Sequence, residues 1–179
     1  MSSNSESSSM ESNLVEQNQT NQTNQTNQTK KSKKHLTSYW GINLDNTAFE
    51  HDKIKELLDS NADLIKLAKI HSTLLYVGKV DTMLDKENQI AKYENHVCTI
   101  VVDAVGYSQN ACALRVKSIV SDETNETIPS FAIQQHITMA LKKGTPPKDS
   151  VLTLTTTEGN ILELPEELKL HGTVKKYFY

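Results

Sequence analysis

Two histidine–threonine pairs in this sequence have the residue types needed for acid–base chemistry on a phosphate. They are His71 with Thr73 and His136 with Thr138, each pair separated by one residue. A neutral imidazole can accept a proton and a protonated one can donate it, both near neutral pH. A threonine hydroxyl is a neutral donor to phosphoryl oxygens as charge shifts during displacement. The four residues therefore predict a catalytic site for phosphodiester cleavage that uses no metal and no other cofactor. The alternative is that they are ordinary strand residues, with half-buried histidines and hydroxyls bonded to the backbone.

The local context separates these two pairs from the other histidines. Four of the six histidines are followed two residues later by threonine, but only His71 and His136 each begin a clearly apolar run typical of a strand. Residues i and i+2 of a strand point to the same face, so each strand would present an imidazole and a hydroxyl together. The remaining histidines lie in contexts that favour solvated, capping or otherwise non-catalytic roles: His35, His51, His96 and His171.

Mostly strands are predicted to position the two motifs. Apolar, β-branched and alternating runs predict strands over 39–44, 70–77, 97–106, 111–119, 133–141, 151–156, 161–164 and 174–179. A capping box at Thr47 predicts a helix whose apolar spacing reaches Ala68, with a break near 59–61. The polar segment 85–96 is predicted to be partly helical, and Gly106 to Asn110 to close a hairpin. This order predicts an α+β chain with a largely antiparallel sheet.

The composition divides the chain into two parts. Its 179 residues are 36% hydrophobic, which suits one modest domain. Residues 1–34 carry four Asn-Gln-Thr repeats and few apolar side chains, so this arm is predicted to be disordered. Residues 35–179 are predicted to form the domain, and we expect a monomer. Cys98 and Cys112 are too few for a disulfide framework or a zinc site, and are expected to be reduced and packed.

The charge distribution limits the partners that can be expected. The net charge is −3, and the arm contributes +1, which leaves −4 for residues 35–179. An acidic domain is a poor binder of duplex nucleic acid, whereas one phosphate end in a local pocket stays possible. No run is apolar enough for a membrane span and no signal peptide is apparent, so a soluble cytoplasmic protein is expected. A lysine cluster ends the arm and has two interpretations, a nuclear-import signal or a solvated boundary between the arm and the domain: Lys30, Lys31, Lys33 and Lys34.

The motifs His71-Ser72-Thr73-Leu74 and His136-Ile137-Thr138-Met139 resemble those of the two-histidine (2H) phosphoesterase superfamily. The similarity covers most of 38–179, from an opening strand with Trp40 and Gly41, through the central hairpin, to a closing strand after Leu170-His171-Gly172-Thr173-Val174. Within the superfamily the chain is most similar to the cyclic phosphodiesterase domain of fungal and plant tRNA ligases and related RNA-repair proteins. The run from Gly144 to Ser150 contributes to that similarity.

The resemblance implies a bilobal α+β fold, in which two similar lobes of mainly antiparallel sheet with flanking helices surround a central cleft. It also implies hydrolysis of a 2′,3′-cyclic phosphate at an RNA end. His71 and His136 would be the acid–base pair, in an order left open, and Thr73 and Thr138 would hold the phosphate. Two alternatives stay open, a 2′–5′ oligoadenylate phosphodiesterase and a non-catalytic module that binds nucleotide ends or a protein.

Six further residues are candidates for substrate binding. Aromatic rings can stack on bases, although each of these is also a plausible core residue: Tyr39, Trp40 and Tyr107. Arg115 and Lys148 could meet a phosphate, with simple solvation as the alternative. Ser150 could donate to the substrate or cap its loop.

Overall fold

The computed structural model describes residues 38–78, 83–155 and 159–178. The predicted arm, its boundary with the domain, and His35 lie outside these residues. The described strands are β1 Ser38–Leu44, β2 Leu64–Lys66, β3 His71–Gly78, β4 Val97–Tyr107, β5 Ala111–Ser121, β6 His136–Lys142 and β7 Asn160–Phe178. The helices are α1 Asp52–Asp59 and α2 Leu84–Ala91, with 3-10 helices at Thr47–Glu50 and Pro147–Leu154. In the described ranges, no helix combines the length and apolar character needed to cross a bilayer.

All described strands belong to one antiparallel sheet with the order β2-β6-β3-β1-β7-β4-β5. A further pairing of β5 with β6 closes six of them into a barrel-like ring, with β2 added beside β6. β3 meets β6 through one pair, Ser72 with Ile137. The predicted α+β class with a mainly antiparallel sheet is confirmed, and the two-lobe arrangement stays a prediction.

The hydrophobic core lies on one face of the sheet. Strand residues such as Ile42, Leu74 and Ile137 are fully buried there, together with Ile54 of α1 and Ile90 of α2. Over the first four residues of β3 and of β6, partly exposed residues alternate with buried ones. The sheet therefore has a core face, covered by the helices, and a second face that is open to ligands.

The prediction for the segment after β1 was wrong in two respects. The residues from Thr47 to Glu50 form a 3-10 helix, and the Thr47 hydroxyl bonds Asp45 instead of capping a longer helix. α1 ends at Asp59, at the predicted break, and residues 64–66 pair with β6 as a strand. Pairing with a neighbouring strand overrides the helical spacing that Ile65 and Ala68 had suggested.

One strand prediction in the last third was also wrong. Residues 151–154 of the predicted strand 151–156 lie in the 3-10 helix Pro147–Leu154, where hydroxyls of Ser150 and Thr153 bond carbonyls three residues earlier. The strands predicted at 161–164 and 174–179 are confirmed where the structure describes them, and both belong to one longer strand, β7. Its pairing with β4 is interrupted around Pro165, which has no amide proton for a ladder bond.

Both cysteines are buried and free, as predicted. Burial raises the pKa of Cys98 to about 12, with the Asp122 charge adding to the effect. Burial alone raises the pKa of Cys112 to about 12. These thiols are therefore protonated packing groups at neutral pH.

Candidate active site

The four motif residues lie on the open face of two adjacent strands. His71 and Thr73 are on β3, and His136 and Thr138 are on β6. All four side chains are partly exposed, whereas the residues between and after them alternate into the core. Strand periodicity thus places each imidazole beside its own hydroxyl, as the sequence predicted.

The register of β3 and β6 brings the two pairs together. Ser72 is paired with Ile137 in an antiparallel ladder. In this antiparallel register, the residues on either side of the Ser72–Ile137 pair are also opposed, so His71 lies opposite Thr138 and Thr73 lies opposite His136. The four residues form a square, called here the His/Thr square, with the two histidines at opposite corners. Diagonal Cβ atoms in such a ladder are about 7–8 Å apart, which leaves room for one phosphate between the imidazoles.

The two strands are also joined beneath the square. The buried Ser72 hydroxyl donates to the His136 carbonyl at 3.1 Å and accepts from the Gln135 amide at 2.7 Å. These bonds satisfy a polar group in the core, and they fix β3 against β6 where the ladder has only one backbone pair. Ser72 therefore stabilises the relative position of the two histidines.

The environment of His71 favours its neutral form. Burial and the charge of His136 together lower the pKa of His71 below its ordinary 6.5. The neutral imidazole can accept a proton at pH 7.

The His136 ring is oriented by the backbone. Its Nδ1 lies 2.8 Å from the Gln134 carbonyl oxygen. A carbonyl only accepts, so Nδ1 carries a proton and Nε2 is left for the substrate. This contact suits both the neutral and the protonated ring, so His136 can hold a transferable proton on Nε2.

A stacked pair of tyrosines borders the square. The Tyr39 ring lies 5.6 Å from the His71 ring and stacks on Tyr177 with centroids 5.0 Å apart. Gly41 makes room for this pair, because a Cβ there would lie 3.0 Å from Tyr39 Cε2 and 2.9 Å from the Ser72 carbonyl. Burial raises the pKa of both phenols, so they are neutral at pH 7. The structure therefore brings Tyr39 to the site.

Sequence reasoning missed Tyr177. It is paired in register with Tyr39. The only signal in the sequence is that both tyrosines lie in terminal strand-like segments, and the pairing of these segments was unknown. The register of β1 and β7 is what identifies this contact.

Ser150 lies against the square from the 3-10 helix Pro147–Leu154. Its hydroxyl is 2.6 Å from the Thr138 hydroxyl and 2.8 Å from the Pro147 carbonyl. Ser150 is fully buried and bonds within its own helix, so of the two predicted roles the structure favours the capping one over direct donation to a substrate. It has one proton, and the Pro147 carbonyl accepts only. In one arrangement Ser150 donates its proton to the Pro147 carbonyl, and the Thr138 hydroxyl donates to Ser150. In the other arrangement Ser150 donates to Thr138, and the Thr138 proton is then available to a ligand.

We expect Ser150→Ala to weaken phosphate binding, because Thr138 loses the partner that orients its hydroxyl. The KM for a cyclic phosphate should rise several-fold, with stability falling by about 1 kcal/mol. Steady-state kinetics and thermal unfolding measure the two effects. Thr153→Val is the matched control, since the buried Thr153 hydroxyl donates to the Ser150 carbonyl within the same helix. Equal KM values in the two variants would contradict this role.

Two predicted aromatic residues are not at the square. Trp40 is only 3% exposed on the core face, and its indole nitrogen donates to Glu87 at 3.0 Å. Tyr107 lies at the end of β4 and lines a small cavity with α1 residues, including Lys53 and Leu57. Of the two alternatives for Trp40, the structure supports the core role, because its ring is enclosed. Tyr107 lies at the cavity beside α1 and not at the square.

The two cations predicted to meet a phosphate, Arg115 and Lys148, differ in whether other groups already bind them. Arg115 is paired with His136 across β5 and β6, but its guanidinium bonds Asp103 at 2.8 Å and Glu163 at 2.6 Å. Two carboxylates neutralise it, so a phosphate would have to compete with both. Lys148 is exposed on the same 3-10 helix as Ser150, and no contact with the square is found within the described residues.

The remaining described histidines lie elsewhere. The His171 ring is near Thr99 at 3.3 Å and Asp122 at 3.7 Å on the exposed surface of β7. His96 contacts Ser121 and Glu123, and His51 precedes α1. In the described part of the chain, no group of three or more His, Cys, Asp and Glu side chains is placed to bind a metal.

A polar cavity of about 580 Å³ lies beyond the 3-10 helix. It is formed by the β4–β5 turn and the loop after β6, with lining residues that include Gln109, Asn110, Thr145 and Asp149. Neither histidine of the square lines it. The candidate active site is therefore the open face around the square and not this cavity.

No protein-family model matches the chain, and no curated protein matches it. Among solved structures, the crystal structure of a fungal RNA kinase is similar at 12% sequence identity and a TM-score of 0.49. The alignment covers 76% of this chain and 45% of that one, so the chain spans less than half of that protein's length.

Proposed function

We propose that the chain is a metal-independent phosphodiesterase that hydrolyses 2′,3′-cyclic phosphate at RNA ends, as the 2H resemblance implies. The observation that carries the proposal is the His/Thr square. Two imidazoles at opposite corners and two hydroxyls at the others match the needs of an in-line displacement at phosphorus. The bilobal 2H arrangement belongs to the same proposal.

The reaction adds one water across one P–O bond. In our proposal neutral His71 takes a proton from the attacking water, whose oxygen bonds to phosphorus. The P–O bond to one ribose oxygen breaks, and His136 delivers the proton from Nε2 to that oxygen. The product is a phosphomonoester, and a proton moves from His71 to His136 through solvent to restore the site. Thr73 and Thr138 donate to the two non-bridging oxygens throughout.

The geometry supports this assignment of the two histidines. The lowered pKa of His71 keeps it unprotonated, as a base must be. The carbonyl of Gln134 holds a proton on Nδ1 of His136, so an added proton must reside on Nε2, the nitrogen that we assign to the leaving oxygen. Because the rings occupy opposite corners, one can reach the attacking oxygen and the other the leaving oxygen.

The pH dependence of His71 can be measured without turnover. In a proton NMR titration, the ring of His71 should titrate below pH 6.5, because burial and the charge of His136 both disfavour its protonation. In His136→Gln the second cause is removed, so the midpoint should move up towards 6.5. A His71 midpoint above 6.5 in the wild-type chain would contradict the proposed base.

A substrate panel tests the reaction class. We expect turnover of an oligonucleotide ending in 2′,3′-cyclic phosphate in the presence of EDTA, and much slower cleavage of a 2′–5′ adenylate dimer. Preferential cleavage of the dimer would support the oligoadenylate alternative. Binding of the cyclic-phosphate end without any turnover would support the non-catalytic module. Chromatography of the products distinguishes a 2′- from a 3′-phosphate.

A further inference from the structure

Three tyrosines lie in one row across the open face. Tyr39 of β1 is paired with Tyr76 of β3 on one side and with Tyr177 of β7 on the other. Directly opposed residues of an antiparallel pair point to the same face, so the three rings border the same edge of the His/Thr square. Tyr177 covers one side of the Tyr39 ring, whereas the Tyr76 side chain is 55% exposed. The accessible stacking surface of this row is therefore Tyr76.

A lysine lies in the neighbouring row. Gly41 is paired with Thr73 of the square and, on its other side, with Lys175 of β7. Two strand spacings, about 9.6 Å, separate Lys175 from Thr73, with only a glycine between them. Lys175 is exposed and has no hydrogen-bond or ion-pair partner within the described ranges. Its flexible stem can place the ammonium beside a phosphate that leaves the square over Gly41.

The opposite side of the square is electrostatically unsuitable for a nucleic-acid chain. There Arg115 is bound by Asp103 and Glu163, which leaves this cluster with a net charge of −1. The nearby Lys117 is paired with Glu167. A polyanion whose end occupies the square is therefore repelled from β5 and attracted across β1 towards Lys175.

We infer that the open face carries a second nucleotide subsite, for the residue upstream of the reacting end of single-stranded RNA. Its base would stack on Tyr76, and its linking phosphate would pair with Lys175. This inference rests on the proposed function and makes the substrate class more specific: an oligonucleotide end in place of a mononucleotide. Stacking on an aromatic ring and a single cation are the usual means of binding single strands without reading their sequence.

The test compares a mononucleoside 2′,3′-cyclic phosphate with a trinucleotide that has the same end. The variants are Tyr76→Leu and Lys175→Gln. We expect each to lower kcat/KM for the trinucleotide about 10-fold and to leave the mononucleotide within about twofold. The matched controls are Phe178→Leu, an aromatic residue 60% exposed at the end of β7, and Lys55→Gln on α1. Neither control should discriminate between the substrates.

Binding separates failure of the subsite from failure of the proposed function. Fluorescence anisotropy of a labelled trinucleotide with a 3′-phosphate reports the subsite whether or not the chain is catalytic. Weaker binding by both variants, with a salt slope reduced by about 0.7 in Lys175→Gln, supports the subsite even if no substrate is hydrolysed. If the wild-type chain hydrolyses both substrates and each variant loses the same fraction of kcat/KM on both, the subsite is contradicted and the proposed phosphodiesterase activity stands. Unchanged binding of the trinucleotide in both variants would contradict the subsite, whether or not the chain hydrolyses either substrate.

Discussion

Replacing either histidine of the square by alanine should reduce kcat for a 2′,3′-cyclic phosphate by about 100- to 10,000-fold. His71→Ala removes the proposed base for the attacking water, and His136→Ala removes the proposed acid for the leaving oxygen. A single general acid or general base typically accelerates a reaction by a factor in this range. The double variant should be little worse than either single one, because the two groups act in one displacement. Rates are measured on a short oligonucleotide with the cyclic end.

The chain supplies its own control for this prediction. His171 with Thr173 is a third His-x-Thr pattern in a strand, and the His171 ring contacts Thr99 and Asp122 away from the square. His171→Ala should retain activity within about twofold. If His171→Ala lost as much activity as His71→Ala, or if His71→Ala and His136→Ala both stayed active, the assignment of the catalytic pair would be wrong.

The second large effect is expected from the two threonines. Thr73→Val and Thr138→Val preserve side-chain volume and remove the hydroxyl that, in our proposal, donates to the developing charge on the phosphate. Loss of one such preorganised donor costs about 100-fold or more in kcat. The two should not be equal. Thr138 already has Ser150 at 2.6 Å, so Thr138→Val also leaves the buried Ser150 hydroxyl with one partner fewer and should lower the melting temperature further.

Thr173→Val is the matched control for the threonine variants, since Thr173 lies on β7 outside the square. It should keep full activity. Activities of Thr73→Val and Thr138→Val that match Thr173→Val would show that the hydroxyls do not hold the phosphate. A rise in KM with unchanged kcat would mean that they bind the ground state and transition state equally.

The sequence allowed the prediction of the four corner residues because a two-residue period decides which side chains share a strand face. It could not predict that His71 lies opposite Thr138. That follows from a single pair between Ser72 and Ile137, 65 residues apart, in a closed ring of strands. Periodicity describes one strand, whereas register depends on partners that are distant in the chain.

The predictions that were wrong also failed because conformation depends on contacts that a sequence pattern does not show. Residues 64–66 pair with β6, and tertiary pairing decides their conformation over helical spacing. The hydroxyls of Ser150 and Thr153 stabilise tight turns that a hydrophobic pattern does not reveal. Trp40 and Tyr39 are neighbours in sequence, yet one lies in the core and the other beside His71, because successive strand residues face opposite sides.

The most direct test of the proposed enzyme is turnover of a 2′,3′-cyclic phosphate oligonucleotide in EDTA by the wild-type chain and by the His71→Ala/His136→Ala double variant. We expect the wild-type chain to convert the substrate, over many turnovers, into a single phosphomonoester. The double variant should bind the oligonucleotide and form product at least about 100-fold more slowly than the wild-type chain. Absence of hydrolysis by the wild-type chain, or equal product from the double variant, would contradict the proposed role of the His/Thr square.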